Sequence, residues 1–317
     1  MRVVRMVAPR KMEFATLPDP TIGPKQVLIR MKEIAVCGSD LVAYLATQPR
    51  EFPEREGRPA HECVGEVVES QLEGYSPGDR VLYFPQHQDG LRELVVALSP
   101  IQLLKLPANG NLSEWMMAQL LGTIIHATRE LGTVMSERVA VIGQGPVGQL
   151  FNHLLWNLGV RMIIAIDKIP ERLAVSTTMH ATHTLQVGKD NVPQAVRDLT
   201  GGPGVDLAVE ASGYDETLSM MIDIVRRDGR VLMFGQPKHL AVTFPIMQMY
   251  NKRLKVITTT GPDVDLDIRM ALEYIQQGRI NVKPLLTHRF PFERVQEAYD
   301  LFAERKNGCI KVVVEFP

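Results

Sequence analysis

From residue 138 to 261 the chain alternates short, mostly apolar runs with amphipathic stretches, and this alternation constrains its fold more than any other feature. The apolar runs are RVAVIG (138–143), RMIIAID (161–167), VDLAVEASG, RVLMFG (230–235) and LKVITTTG (254–261). Strands of this kind are buried on both faces, so a parallel sheet covered by helices on each side is expected. Between the first two runs, PVGQLFNHLLWNLG (146–159) carries apolar residues at 147, 150, 151, 154, 155 and 158, one wide stripe at helical spacing. QAVRDLTGG and a helix from about Glu216 to Arg227 continue the pattern.

The first 110 residues read differently. VLIRMK (27–32), ECVGEVVES (62–70), DRVLYF (79–84) and LRELVVAL (91–98) are short β-branched runs separated by turn signals such as SPGD (76–79) and QDG (88–90). They predict a small, irregular antiparallel barrel. Near residue 112 a helix begins, LSEWMMAQLLGTIIHATREL, with Ser113 as its expected N-cap. Beyond Gly261 come a helix (DIRMALEYIQQG), a stretch ending in THRFPF, a helix (ERVQEAYDLFAER) and a last strand, CIKVVVEF. That strand is expected to return to the β-rich part. The parallel-sheet unit, residues 124–262, would then be an insertion in a discontinuous first domain made of 1–123 and 263–317. A length of 317 residues suits two domains.

Gly143-Gln-Gly145-Pro146-Val147-Gly148 fits G-x-G-x-x-G, and here a strand precedes it and a helix opens within it, as a dinucleotide-binding turn requires. Gly143 would make the tight turn, Gly145 would let pyrophosphate approach the backbone, and Gly148 would let helix and strand pack closely. The helix N-terminus offers free N–H groups to the phosphates. Asp167 ends the second strand 19 residues after Gly148, placed to accept hydrogen bonds from the adenosine ribose hydroxyls and to repel a 2′-phosphate. NAD is therefore expected over NADP, with Lys168 and Arg172 as the residues that keep NADP open. Arg172 is within reach of the ribose or phosphate edge.

Cys37-Gly-Ser39-Asp40 is followed, 24 residues after Cys37, by His61-Glu62. A thiolate and an imidazole together suit a borderline-soft divalent ion such as zinc. Singly, each would read as a packed core residue. With CGSD, AHE, GYSPGDRV, GQGPVG, the acid at 167, VEASG, GRVLMFG and the ending GCIKVVV, nearly the whole chain resembles the zinc-dependent medium-chain dehydrogenase/reductase family, the alcohol and polyol dehydrogenases. The resemblance implies an α/β protein in which a GroES-like catalytic domain surrounds an inserted Rossmann domain. It implies Cys37 and His61 as ligands of one catalytic zinc, Asp40 as the acceptor that fixes the His61 imidazole, and Ser39 as the hydroxyl that passes the substrate proton. Glu62 would bind the metal or wait behind it. Phe234 and Gly235, and the basic Lys311 at the pyrophosphate, would complete the dinucleotide site. A homodimer or homotetramer joined through the Rossmann sheet edge is also implied, with HLAVTFPIMQMY (239–250) apolar enough to take part.

The sequence departs from the family in four places. The lobe that carries the family's structural zinc is missing, so no structural zinc is expected. Gln119 falls where polyol dehydrogenases carry a glutamate ligand, and Gly122 where simple alcohol dehydrogenases carry a cysteine, so the third protein ligand stands open between Glu62 and Gln119. Val42 replaces a proton-relay histidine, and Ala60 replaces the usual glycine before His61. His126 near the nicotinamide and His87 in a loop have packing or surface roles as their alternatives. PEREGR (53–58) reads as a solvated loop, and MQMY (247–250) as packing or interface.

The expected activity is hydride transfer between a secondary alcohol, polyol or sugar hydroxyl and NAD. Two alternatives stand beside it: a zinc-free quinone or enoyl reductase on the same fold, and a nucleotide-binding regulator without catalysis. Lys+Arg of 35 against Asp+Glu of 36 leaves no global basic field, which argues against a dedicated nucleic-acid binder. No apolar run approaches the ~20 residues that span a bilayer, and no leader segment is expected. Three cysteines build no disulfide framework, so a reducing, cytoplasmic location is expected.

Overall fold

The computed structural model describes all 317 residues. Its chain divides into two units: Met1–Leu120 with Val264–Ile275 and Leu285–Pro317, and Leu121–Asp263 with Gln276–Pro284. The first begins with β1 (Arg2–Ala8), β2 (Lys11–Thr16), β3 (Val27–Ala35), α1 (Asp40–Tyr44), β4 (Glu62–Ser70), β5 (Arg80–Tyr83), β6 (Leu94–Ala97) and β7 (Leu103–Lys105). Helix α2 (Leu112–Leu131) carries the chain into the second unit. Asn111, not Ser113, caps it: the Asn111 Oδ1 accepts from the Ser113 N–H at 2.9 Å and the Glu114 N–H at 3.4 Å. Ser113 is fully buried and its hydroxyl donates to Glu33 instead.

The second unit contains β8 (Arg138–Ile142), α3 (Pro146–Asn157), β9 (Met162–Asp167), α4 (Pro170–Thr178), β10 (His183–Gln186), α5 (Val192–Thr200), β11 (Val205–Glu210), α6 (Asp215–Ile224), β12 (Val225–Met233), α7 (Ile246–Lys252) and β13 (Lys255–Thr258). Its six strands form one parallel sheet in the order β10-β9-β8-β11-β12-β13. The order reverses beside β8, the strand that leads into Gly143, and such a reversal opens the crevice where open α/β sheets bind ligands. Helix α6 ends at Ile224 and not near Arg227, because Val225 already pairs with Val205 of β11.

His153 of α3 is 7% exposed and bonds the Arg279 carbonyl; burial, aided by neighbouring His180, pushes its pKa down to about 4. An ordinary histidine titrates near 6.5, so below that pH the unfolded chain binds a proton that the fold refuses. This contribution to stability is complete above about pH 6.5, falls progressively toward pH 4, and reaches a loss of roughly 3 kcal/mol. Urea denaturation across that range should show the slope in the wild type and a flatter curve in His153→Gln.

The chain then returns to the first unit through α8 (Arg269–Gln276), β14 (Leu286–Pro291), α9 (Val295–Glu304) and β15 (Lys311–Glu315). β15 pairs antiparallel with β3, so the last strand does rejoin the β-rich sheet, ordered β14-β15-β3-β4-β5-β7 with β6 also on β3. The core of this unit includes Ile29, Met31, Tyr44, Val81, Phe292 and Tyr299. PEREGR is not a solvated loop. Glu54 is buried and paired with Arg50 and Arg58, and the Glu54 and Gly57 N–H groups bond the carbonyls of Met6 and Val4.

Candidate active site

β3 runs toward Cys37, and the Val36 N–H bonds the Val312 carbonyl of β15 at 2.9 Å, which fixes the approach to the thiol. β4 opens at Glu62, so His61 and Glu62 enter beside it, with Ala35 opposite Glu62 in the β3–β4 register. The ligand atoms of Cys37, His61 and Glu62 lie within 4.8 Å of one another. Asp40, fully buried at the start of α1, ties this end of the sheet together: Oδ2 accepts the Cys37 N–H at 2.8 Å and Oδ1 lies 2.7 Å from His61 Nδ1. A carboxylate on Nδ1 makes that nitrogen the donor and turns the Nε2 lone pair outward as a metal ligand. Ser39 Oγ stands 3.4 Å from Nε2. Burial opposes charge on His61, but the Asp40 carboxylate and Cys37 together raise its pKa well above the ordinary value.

One soft thiolate, one imidazole with a fixed tautomer and a nearby carboxylate are the donor set of a zinc site. Cys37 and His61 are partly exposed while Asp40 and Glu62 are not, so the cluster is open on one side, as a catalytic metal requires. Gln119 lies on α2 with its Oε1 buried and without a hydrogen-bond partner, an acceptor still to be satisfied. Val42 is buried in α1.

Lys311 departs from expectation. It is not a solvated lysine: it is fully buried at the start of β15, with Nζ 2.7 Å from Glu62 Oε1 and 2.6 Å from Oε2. Burial opposes its charge, but Glu62 and then Cys37 outweigh it, and the ammonium's pKa is raised. The Glu62 carboxylate is thus already engaged on one side. A lone lysine inside the apolar run CIKVVV was the sequence signal for such a partner.

In the second unit the three motif glycines have distinct reasons. Gly143 has φ +93°, and an added Cβ would sit 2.8 Å from Ser212 Cβ. At Gly148 it would fall 1.9 Å from the Gly143 carbonyl oxygen, so the first turn of α3 closes only on a glycine. At Gly145, the N-cap of α3, it would meet nothing nearer than Arg172 Nη1 at 3.7 Å. That leaves an open backbone face beside a guanidinium, the surroundings a phosphate needs. Pro146 occupies the first helical turn, and Val147 follows it half-buried.

Asp167 ends β9. Its Oδ2 accepts the Gln144 N–H at 2.6 Å and its Oδ1 the Ile169 N–H at 2.9 Å, which aligns the carboxylate against the glycine turn. Behind them lies a buried network that sequence reasoning missed. Asn152 and Ser176 donate to Gln144 Oε1, and Gln149 donates to the Arg172 carbonyl. It joins the turn to α3 and α4 and so places Arg172. Phe234 and Gly235 both bond the Glu210 carbonyl, and an added Cβ at Gly235 would lie 2.3 Å from the Gly213 nitrogen. His126 is partly buried on α2, and His87 is exposed.

The family description "Alcohol dehydrogenase GroES-like domain" matches residues 23–120, and "Zinc-binding dehydrogenase" matches residues 146–277. L-threonine 3-dehydrogenase of Bacillus licheniformis is 28% identical over 95% of this chain and 94% of its own. Sorbitol dehydrogenase of Bacillus subtilis is 25% identical over 99% of this chain and 97% of its own. The solved alcohol dehydrogenase TADH from Thermus sp. ATN1 superposes with a TM-score of 0.87 at 26% identity, covering 100% of both chains.

Proposed function

Because this chain belongs to the zinc-dependent medium-chain dehydrogenase/reductase family and is an alcohol or polyol oxidoreductase, we propose that it binds one catalytic zinc at Cys37 and His61, with Gln119 or Glu62 as third protein ligand, and prefers NAD. The observation that carries this reading is the Cys37–His61–Glu62 cluster with Asp40 behind it. Zinc held there would supply Lewis acidity that lowers an alcohol's pKa, and a bound dinucleotide would supply the hydride acceptor.

The protein's own groups do the rest. Asp40 holds the imidazole tautomer and the Cys37 backbone at once. With Val42 in the relay position, the Ser39 hydroxyl is the group that would accept the substrate proton and pass it to water. The Gly145 backbone, the α3 N-terminus and Arg172 would hold a dinucleotide's pyrophosphate, and Asp167 would accept from its ribose hydroxyls. Secondary alcohols, polyols and sugar hydroxyls are the substrate class, in keeping with the names of the relatives.

Elemental analysis should find about one zinc per chain, as a single catalytic site requires, and titration should find NADH bound more tightly than NADPH. Zinc-free protein that still turns over alcohol would sink the metal assignment. Asp167→Ala should weaken NADH by about tenfold and narrow or reverse the preference, since one charge-assisted acceptor pair is lost and the repulsion of a 2′-phosphate with it. An unchanged NADH/NADPH ratio in that variant would remove Asp167 from its role.

The second unit presents Leu240, Ile246, Met247 and Tyr250 to solvent around α7, which buries none of its residues, and β13 is an unpaired sheet edge. An exposed edge flanked by apolar side chains favours pairing with a second copy. Light scattering should report a homodimer or a multiple of it, and Ile246→Glu should shift it toward monomer.

A further inference from the structure

The first unit holds a cavity of about 190 Å³ that the hydride-transfer chemistry does not use. Tyr83 lines it and pairs with Cys63 across β4 and β5. Cys63 follows Glu62 directly, and successive strand residues leave opposite faces. None of Cys37, His61 and Glu62 lines the cavity.

Part of the lining is apolar: Leu94, Val95, Val96 and Leu98. The lining also holds hydrogen-bond donors: Arg55, Tyr83, Gln86 and His87. Tyr83 is only 4% exposed, and burial, then Asp89, raises the pKa of its phenol, so the hydroxyl stays protonated and can donate. Asp89 is the one carboxylate in the lining, and its Oδ2 lies 3.4 Å from Arg92 Nη2 and 3.6 Å from Arg55 Nε. Arg92 is committed elsewhere as well, to the Glu56 carbonyl through Nε at 3.2 Å and Nη2 at 2.6 Å. Arg55 makes no direct hydrogen bond, and half of its side chain is exposed. Two guanidiniums against one carboxylate leave a positive surplus, and the unfilled groups are donors.

We propose that this cavity binds a small organic carboxylate with a short apolar tail. The anion bonds the Arg55 guanidinium and the Tyr83 hydroxyl, and the tail lies along Leu94, Val96 and Leu98. Charge-assisted bonds from a guanidinium supply the recognition of the anion, and the apolar wall distinguishes an organic acid from an inorganic one.

Hexanoate, hexan-1-ol and inorganic phosphate, each titrated into the full-length protein and followed by ligand-observed NMR, test it. Hexanoate should bind at least about tenfold more tightly than either control, since each control lacks one of the two recognition elements. Arg55→Glu, a change at an exposed side chain, should weaken hexanoate by about tenfold or more while alcohol turnover stays intact. Tyr83→Phe should weaken it by a smaller factor. Cys37→Ala should leave hexanoate binding unchanged, which separates the cavity from a carboxylate seated on the metal. Loss of binding in Cys37→Ala, indifference to Arg55→Glu, equal affinity for hexanol or phosphate, or no binding at all would each overturn the proposal.

Discussion

Cys37→Ala should purify folded, carry almost no zinc, bind NADH as the wild type does, and oxidise alcohol at least about a thousandfold more slowly. The size follows from what is removed. Lewis-acid stabilisation of the developing alkoxide is worth several kcal/mol, and each 1.4 kcal/mol is about tenfold in rate. Cys37 supplies the thiolate of the cluster, and the remaining donors, His61 and either Gln119 or Glu62, make a poor site without it. NADH binding serves as the internal control, because Gly143, Gly145, Gly148 and Asp167 belong to the other unit. A variant that keeps its metal and its rate would place the metal elsewhere.

Lys311→Met should be the most destabilising single change in the first unit, lowering unfolding free energy by about 3–5 kcal/mol, the usual cost of stranding one member of a buried ion pair. Both partners are wholly buried, so water cannot replace the lost ammonium. The pair's net worth is a separate quantity. Glu62→Met combined with Lys311→Met removes both charges and should recover most of the loss, because a well-packed apolar pair is often as stable as the ion pair it replaces. Urea denaturation of wild type, both single variants and the double variant completes the cycle. Additive losses would mean that the two side chains do not depend on one another.

What could be read from residues alone divides along a physical line. Local patterns carried over: β4 spans Glu62–Ser70 as its β-branched run indicates, α3 follows its apolar stripe, and the glycines at 143, 145 and 148 sit where strand, turn and helix meet. Long-range side-chain pairings did not, although the return of the last strand to the β-rich sheet did. Nothing near Lys311 in the chain shows that its partner is Glu62, 249 residues away. Glu54 lies in a run of charges that reads as solvated, and only the Arg50 and Arg58 side chains together with the β1 carbonyls make its burial tolerable. Ser113 has the chemistry of a helix cap but is claimed by Glu33, so Asn111 takes that place. For Lys311 and Ser113 a residue type compatible with two environments was decided by a partner distant in sequence.

The pairing of β15 with β3 also sets an order of events during synthesis. A chain emerging from the ribosome presents Cys37, His61 and Glu62 early, but Lys311, 249 residues after Glu62, and the Val312 carbonyl that steadies Val36 follow much later. Until then the nascent first unit has an open strand edge and an unneutralised glutamate in its interior, while the complete inserted unit is free to fold as a body of its own. The Glu62 carboxylate therefore gains its buried counter-charge only once β15 has paired with β3, and the half-built sheet is open to aggregation until then.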